Sequence, residues 1–135
     1  MRQTTSASLI VLIIFVGYIA YGQSRSGANA AGTWSGSWTG SSAGKFEMTI
    51  KKDAAGKLSG TLTASPDQGQ GYTTQFKLID AKASKLTIKF DSPDGGVEVT
   101  LQSLIQGKSI KGDYSIRAKA SGEEVEKGTF TAARK

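Results

Sequence analysis

Gly32-Thr33-Trp34-Ser35-Gly36-Ser37-Trp38-Thr39 is the stretch that decides the fold. Trp34, Gly36 and Trp38 fall on one face and Thr33, Ser35, Ser37 and Thr39 on the other. Strict period two is the pattern of a strand with one buried and one wet face. Both tryptophans of the chain lie here.

The theme repeats downstream. Phe46, Met48 and Ile50 alternate with Glu47, Thr49 and Lys51 over 45–51. Leu58, Gly60, Leu62 and Ala64 alternate with Ser59, Thr61 and Thr63 over 57–64. In 72–79, Phe76 and Leu78 share a face with Tyr72 or Thr74. Leu86, Ile88 and Phe90 mark 84–90, and Val97, Val99 and Leu101 mark 96–105. The Leu104-Ile105 pair interrupts that alternation and predicts a bulge or strand end. Ile110, Gly112, Tyr114, Ile116 and Ala118 point inward over 109–118, and Gly128, Phe130 and Ala132 over 125–133.

Turn-forming clusters separate these segments: Asp53-Ala-Ala-Gly56, Pro66-Asp-Gln-Gly69, Pro93-Asp-Gly-Gly96, Gln106-Gly107 and Ser121-Gly122. Helical periodicity is absent after residue 31. The expectation is an all-β domain: an eight-stranded antiparallel up-and-down barrel, with a β-sandwich as the alternative. Closure removes the two edges and the apolar face that a flat sheet would expose. Glycines on inward positions (Gly36, Gly60, Gly112, Gly128) favour the barrel, which needs sharp coiling and room for large neighbours.

The N-terminus reads differently. Met1-Arg2 precedes an uncharged apolar run, Leu9–Ala20. One basic residue before a short apolar segment is the layout of a secretory signal helix. Residues 1–22 are expected to be the signal, cleaved after Gly22, with Ala30 as a second candidate site. Residues 23–31 read as a flexible linker and 32–135 as the barrel domain. The expected location is outside the cytoplasm, periplasmic or extracellular, with no stable membrane insertion after cleavage. An uncleaved N-terminal anchor is the alternative.

Composition narrows the chemistry. The 135 residues contain no Cys and no His. Thiolate and imidazole metal sites, Cys or His nucleophilic catalysis, and the usual near-neutral general base are thereby excluded. No cofactor and no metal are expected. The formal charge is +6, but the basic residues are interleaved with acids (Glu47, Glu98, Asp113, Glu126) on outward positions without an aromatic platform. That pattern is a solvated exterior, not a nucleic-acid surface. No enzyme is expected. A carboxylate hydrolase or cation site can be drawn only from Asp91, Ser92 and Asp94, with Asp67 nearby, and turn Asp residues have local hydrogen-bonding reasons to be there.

The Gly32-Thr33-Trp34 triplet opening the first strand, the export signal before it and the meander after it resemble the calycin group, the lipocalins and avidin-like barrels. In that family the Gly-x-Trp seals the closed end, and a basic residue after the last strand packs on the indole. The resemblance implies that Trp34 and Arg134 form a structural plug. Gly36 stands where avidin-like barrels carry a polar ligand contact, and no Trp follows Trp38, which speaks against biotin.

Antiparallel order collects the loops 39–44, 65–71, 91–95 and 119–124 at one end and the shorter loops at the other. Trp38, Phe46, Tyr72, Thr74, Phe90 and Ile116 are expected near the loop-rich mouth. Trp34, Ile50, Leu58, Leu78, Ile110 and Phe130 are expected to fill the tight end. Two readings stay open. In one, Trp38, Phe46, Tyr72, Phe90 and Tyr114 contact a small hydrophobic molecule. In the other, the same residues are core of a structural or interaction domain without a ligand.

Overall fold

Alternating apolar and polar residues fold into strands because only extended backbone puts every second side chain on one face. The computed structural model describes residues 30–135, so the expected signal helix, and the linker as far as residue 29, lie outside the described residues. The strands are β1 (Gly32–Gly40), β2 (Ala43–Lys52), β3 (Leu58–Pro66), β4 (Tyr72–Gln75), β5 (Leu78–Lys82), β6 (Lys85–Asp91), β7 (Val97–Gln106), β8 (Ser109–Ala118) and β9 (Glu124–Arg134). They form one antiparallel sheet in the order β4-β3-β2-β1-β9-β8-β7-β6-β5. A single curled sheet replaces the two layers that a sandwich would need.

The strand count is nine, not eight, because the segment at 72–79 is split. Its first half pairs with β3, Ala64 opposite Tyr72. Its second half pairs with β6, Ile79 opposite Ile88. Between them the Phe76 amide donates to the Gly60 carbonyl at 3.0 Å, and the next amide, Lys77, donates to the Lys89 carbonyl at 2.9 Å. The two outer strands of the sheet are therefore consecutive in the chain and meet at one peptide. Thr74 Oγ1 donates to the Asp91 carbonyl (3.1 Å) across the same seam. The Phe76 and Phe90 rings pack beneath it with centroids 6.1 Å apart. Outside, Lys77 Nζ bridges Asp91 (2.8 Å) and Glu98 (2.5 Å).

The split corrects one expected core residue. Phe76 faces inward, but the phase slips by one residue at the junction, so Ile79 packs against the core and Leu78 is 43% exposed. A second correction concerns β7. No bulge occurs at Leu104-Ile105, and the strand end expected as the other outcome falls one residue beyond the pair, where the unbroken ladder with β8 closes at Gln106↔Ser109. Ser103 occupies the inward position that its polarity disguised, and its hydroxyl donates to the Leu86 carbonyl at 3.1 Å. Leu104 faces solvent. The irregularity lies instead in the β8–β9 ladder at Ile116/Arg117.

The interior is filled at one end. Trp34, Met48, Ile50, Leu86, Ile88 and Ile110 are the largest fully buried side chains. Trp34 pairs with Arg134 across β1 and β9, and the guanidinium lies 4.3 Å from the indole centroid. Arg134 Nη1 also donates to the Ala31 carbonyl (2.5 Å). The Trp34 indole N–H donates to the Ala30 carbonyl at 2.9 Å, and Ala30 is fully buried. Packing thus begins at least at Ala30, two residues before β1. Leu58 is partly buried against this end.

Candidate functional site

The other end is not filled. Strands wide enough apart to hold a Trp, three Phe and two Tyr leave space once those rings stand against the walls. A cavity of about 290 Å³ lies there. Trp38 comes from β1, Phe46 from β2, Leu62 and Ala64 from β3 and Tyr72 from β4. Phe90 comes from β6, Val99 and Leu101 from β7, Tyr114 and Ile116 from β8, and Glu126 and Phe130 from β9. Ser42, Pro66 and Gln68 complete the rim. All five aromatic residues singled out in the sequence, Trp38, Phe46, Tyr72, Phe90 and Tyr114, are brought together on this one space. Phe130 joins them rather than the packed end; its ring meets Phe46 edge-on, with centroids 6.0 Å apart and planes at 70°.

Two of the rings are placed by glycines. Gly40 and Gly128 face each other across β1 and β9, and a methyl group on Gly128 would sit 2.7 Å from the Tyr114 ring and 2.8 Å from its hydroxyl. The bare backbone lets Tyr114 lie along the wall instead of filling the lumen. Gly44 does the same for Trp38, whose Cη2 would lie 2.5 Å from a methyl group there.

The polar groups form one short chain. The Trp38 indole N–H donates to Ser42 Oγ (3.3 Å). Ser42 Oγ donates to Glu126 Oε2 (2.9 Å). The Tyr114 hydroxyl donates to the same oxygen at 2.7 Å. Burial, followed by the hydrogen bond and charge of Glu126, pushes the Tyr114 phenol far above its ordinary value, so it stays a neutral donor. Burial chiefly, and then the Glu126 charge, also raises the Tyr72 phenol.

Glu126 is the residue the sequence reading misplaced. It was expected outward among the interleaving acids. It sits on the inward phase of β9 with Gly128, Phe130 and Ala132, half-buried. The signal was present in that alternation, and the charge concealed it. Glu126 lies at the rim, so its carboxylate keeps polar partners and is not stranded in the apolar interior.

Asp91 and Asp94 do not assemble a catalytic pair. Asp91 is engaged on the exterior by Lys119 (2.7 Å) and Lys77, and hydrogen bonds from Lys119 and then Lys77 hold its carboxyl below the ordinary range. Asp94 accepts from Ser92 Oγ (2.6 Å) and the Gly96 amide (2.8 Å), closing the β6–β7 turn. The Ser92 bond, then the Gly96 amide, lowers its pKa. A general acid needs the opposite shift. Among the described residues no group of three or more Asp and Glu gathers as a metal cluster would. No helix among them is long and apolar enough to cross a membrane.

No protein-family model matches the sequence, and no curated protein matches it. The architecture does have a solved counterpart. A structure described as EF1p2_mFAP2b bound to DFHBI is similar over 78% of this chain and 93% of its own, with a TM-score of 0.63 and 15% identity. At that identity the likeness is one of fold. The described residues thus form an all-β domain whose curled antiparallel sheet is shared with a solved ligand-bound protein.

Proposed function

We propose that this chain is an exported, non-enzymatic barrel of the calycin type that carries a small apolar ligand. The observation that carries the reading is the division of the interior: one end is packed solid around Trp34, and the other keeps about 290 Å³ walled by aromatic and aliphatic side chains. That volume lies at the lower edge of the range of about 300–1,000 Å³ usual for small-molecule pockets. It suits a ligand of one or two rings. The structural counterpart is a protein described with DFHBI bound, which makes that compound a sensible first probe.

The full chain should be expressed, extracted with organic solvent and examined by mass spectrometry for co-purifying molecules. In parallel, Trp38 fluorescence should be followed during titration with DFHBI and with one- and two-ring neutral compounds. Saturable quenching that disappears in Trp38→Phe supports the reading. No co-purifying molecule and no saturable binding by any probe overturns it in favour of a structural or interaction domain.

Export rests on the apolar run behind Arg2. Cleavage after Gly22 is the better of the two sites, because a chain beginning at Ala31 would lose the Ala30 carbonyl that accepts from Trp34. The N-terminal residue of protein recovered from the cell envelope or medium tests this: Gln23 is expected, and a chain still beginning at Met1 would point to the uncleaved anchor.

A further inference from the structure

The cavity has one charge. Among the described residues, Glu126 is the sole ionisable one lining it besides the two tyrosines, and no Lys or Arg lines it. Both hydrogen bonds that Glu126 receives go to Oε2, from Tyr114 and Ser42. Among the described residues none donates to Oε1. The carboxylate is therefore anchored by one oxygen and has the other available at the rim. Below it stand the rings of Trp38, Phe46, Tyr72, Phe90, Tyr114 and Phe130. Aromatic faces carry the negative end of the ring quadrupole and attract cations over about 6 Å. The formal charge and the ring faces of the lumen thus have the same sign, and the remaining lining polar groups, Ser42 and Gln68 among them, are neutral. An anion would find no positive partner. A neutral apolar body would leave Oε1 partly dehydrated and unpaired, which is costly for a charged group.

Building on the proposed binding function, we propose that the ligand is an organic ammonium: an apolar body inside the barrel with its cationic head group at Glu126 Oε1. The net charge of +6 does not oppose this at short range. Lys127, next to Glu126 on β9, and Lys45 on β2 are exposed on the outward face. Charges there are screened over about 8–10 Å at physiological salt, whereas a contact pair at a half-buried rim is screened much less. Tyr114 cannot substitute as the anion, because its phenol is held protonated as a donor to Glu126.

The test holds the apolar body constant and changes the head group. 3-Phenylpropylammonium, 3-phenylpropan-1-ol and 3-phenylpropionate are titrated against the full chain at pH 7, with Kd read by Trp38 fluorescence or calorimetry. The ammonium is expected to bind about tenfold tighter than the alcohol, and the carboxylate more weakly than both. Glu126→Gln keeps the side-chain shape and an acceptor for Tyr114. It is expected to erase the ammonium preference, so that ammonium and alcohol bind the variant within about twofold of each other. Equal binding of ammonium and alcohol, or a preference that survives in Glu126→Gln, overturns the charge assignment while leaving the apolar-carrier function intact. Binding of none of the three overturns both.

Discussion

Replacing the two tryptophans one at a time separates the packed end from the open end. Trp34 is fully buried, its indole N–H is bonded to the Ala30 carbonyl, and the Arg134 guanidinium covers its face. Trp34→Ala removes a large core side chain, which costs about 3–5 kcal/mol in a site that cannot collapse. It also orphans the Ala30 carbonyl and removes a cation–π contact, each about 1–2 kcal/mol but not additive with the first. A domain of this size has a total stability of about 5–15 kcal/mol. The variant is therefore expected at the margin of folding. Trp38 is only half-buried, and its N–H bond goes to an exposed serine. Trp38→Ala should cost about 1–2 kcal/mol, in proportion to the smaller apolar area lost.

Urea unfolding followed by far-ultraviolet circular dichroism reads both. With an m-value of about 1.5 kcal/mol/M, Trp34→Ala should lower the midpoint by about 2–3 M and Trp38→Ala by about 1 M. Trp34→Phe refines the comparison: it keeps most of the packing and loses the N–H, so its cost should fall between the two. Midpoint shifts for the two alanine variants that agree within about 0.5 M would refute the division of the interior into a packed and an open end.

A chain beginning at Ala31 should be about 1–2 kcal/mol less stable than one beginning at Gln23, because the buried Trp34 N–H loses its acceptor; thermal melts of the two purified chains measure it. Gly128→Ala, which forces Tyr114 off the wall and presses on the Thr39 carbonyl, should cost about 2–3 kcal/mol and diminish the cavity, read as a lower melting temperature together with weakened binding of apolar probes. Stability against pH should be flat through neutrality and fall above about pH 10. The folded phenols of Tyr114 and Tyr72 keep their protons there while the unfolded ones lose theirs, so the unfolded state binds fewer protons and the slope is negative, up to about 1.4 kcal/mol per pH unit for each group. Tyr114→Phe should make that slope shallower, and urea titrations between pH 8 and 11 would show it. Lys77→Ala, which removes two exposed ion pairs at the seam, should shift the midpoint in the same urea assay by less than Trp38→Ala does.

What could be read from the sequence was the alternation, and what could not was where its phase breaks. Phase is continuous in β1, β2 and β3, so Trp34, Met48, Ile50 and Leu62 face inward as expected. Leu78 misleads because hydrophobicity alone continues the pattern from Phe76. The slip arises from a long-range event, the transfer of pairing from β3 to β6 within one peptide, and no local residue announces it. Ser103 and Glu126 mislead for the reverse reason: both obey the alternation, and their polarity argues against it. Ser103 is admitted because its hydroxyl finds the Leu86 carbonyl; Gly112 opposite it stays bare because a methyl group there would come within 2.6 Å of the Ser103 Cα. Glu126 is admitted because it lies at the wet rim. The turn sites and the aromatic residues of the inward faces follow from pattern. The Glu126 carboxylate at the cavity rim follows only from trusting period two over hydropathy.

β9 carries the logic of the whole interior along one strand. Arg134 caps the packed end over Trp34, and Glu126 stands at the open end on the hydrogen-bond chain from Trp38. Phe130 and the small Gly128 and Ala132 lie between them. Each tryptophan of β1 is thus tied to a charged residue of β9, by different kinds of bond. The indole of Trp34 is fixed by a backbone carbonyl, which cannot leave without unfolding the local chain. The indole of Trp38 is held by a serine hydroxyl at 3.3 Å, a long bond to a rotor that can reorient. A site that admits a guest needs its guest-facing bonds to be exchangeable and its distal bonds to be permanent. Ser42 can turn from Glu126 toward an incoming donor while Tyr114 continues to hold Oε2, so the carboxylate stays in place as its partners change. The asymmetry between the two indoles is therefore a physical basis for opening at one end while the other stays shut.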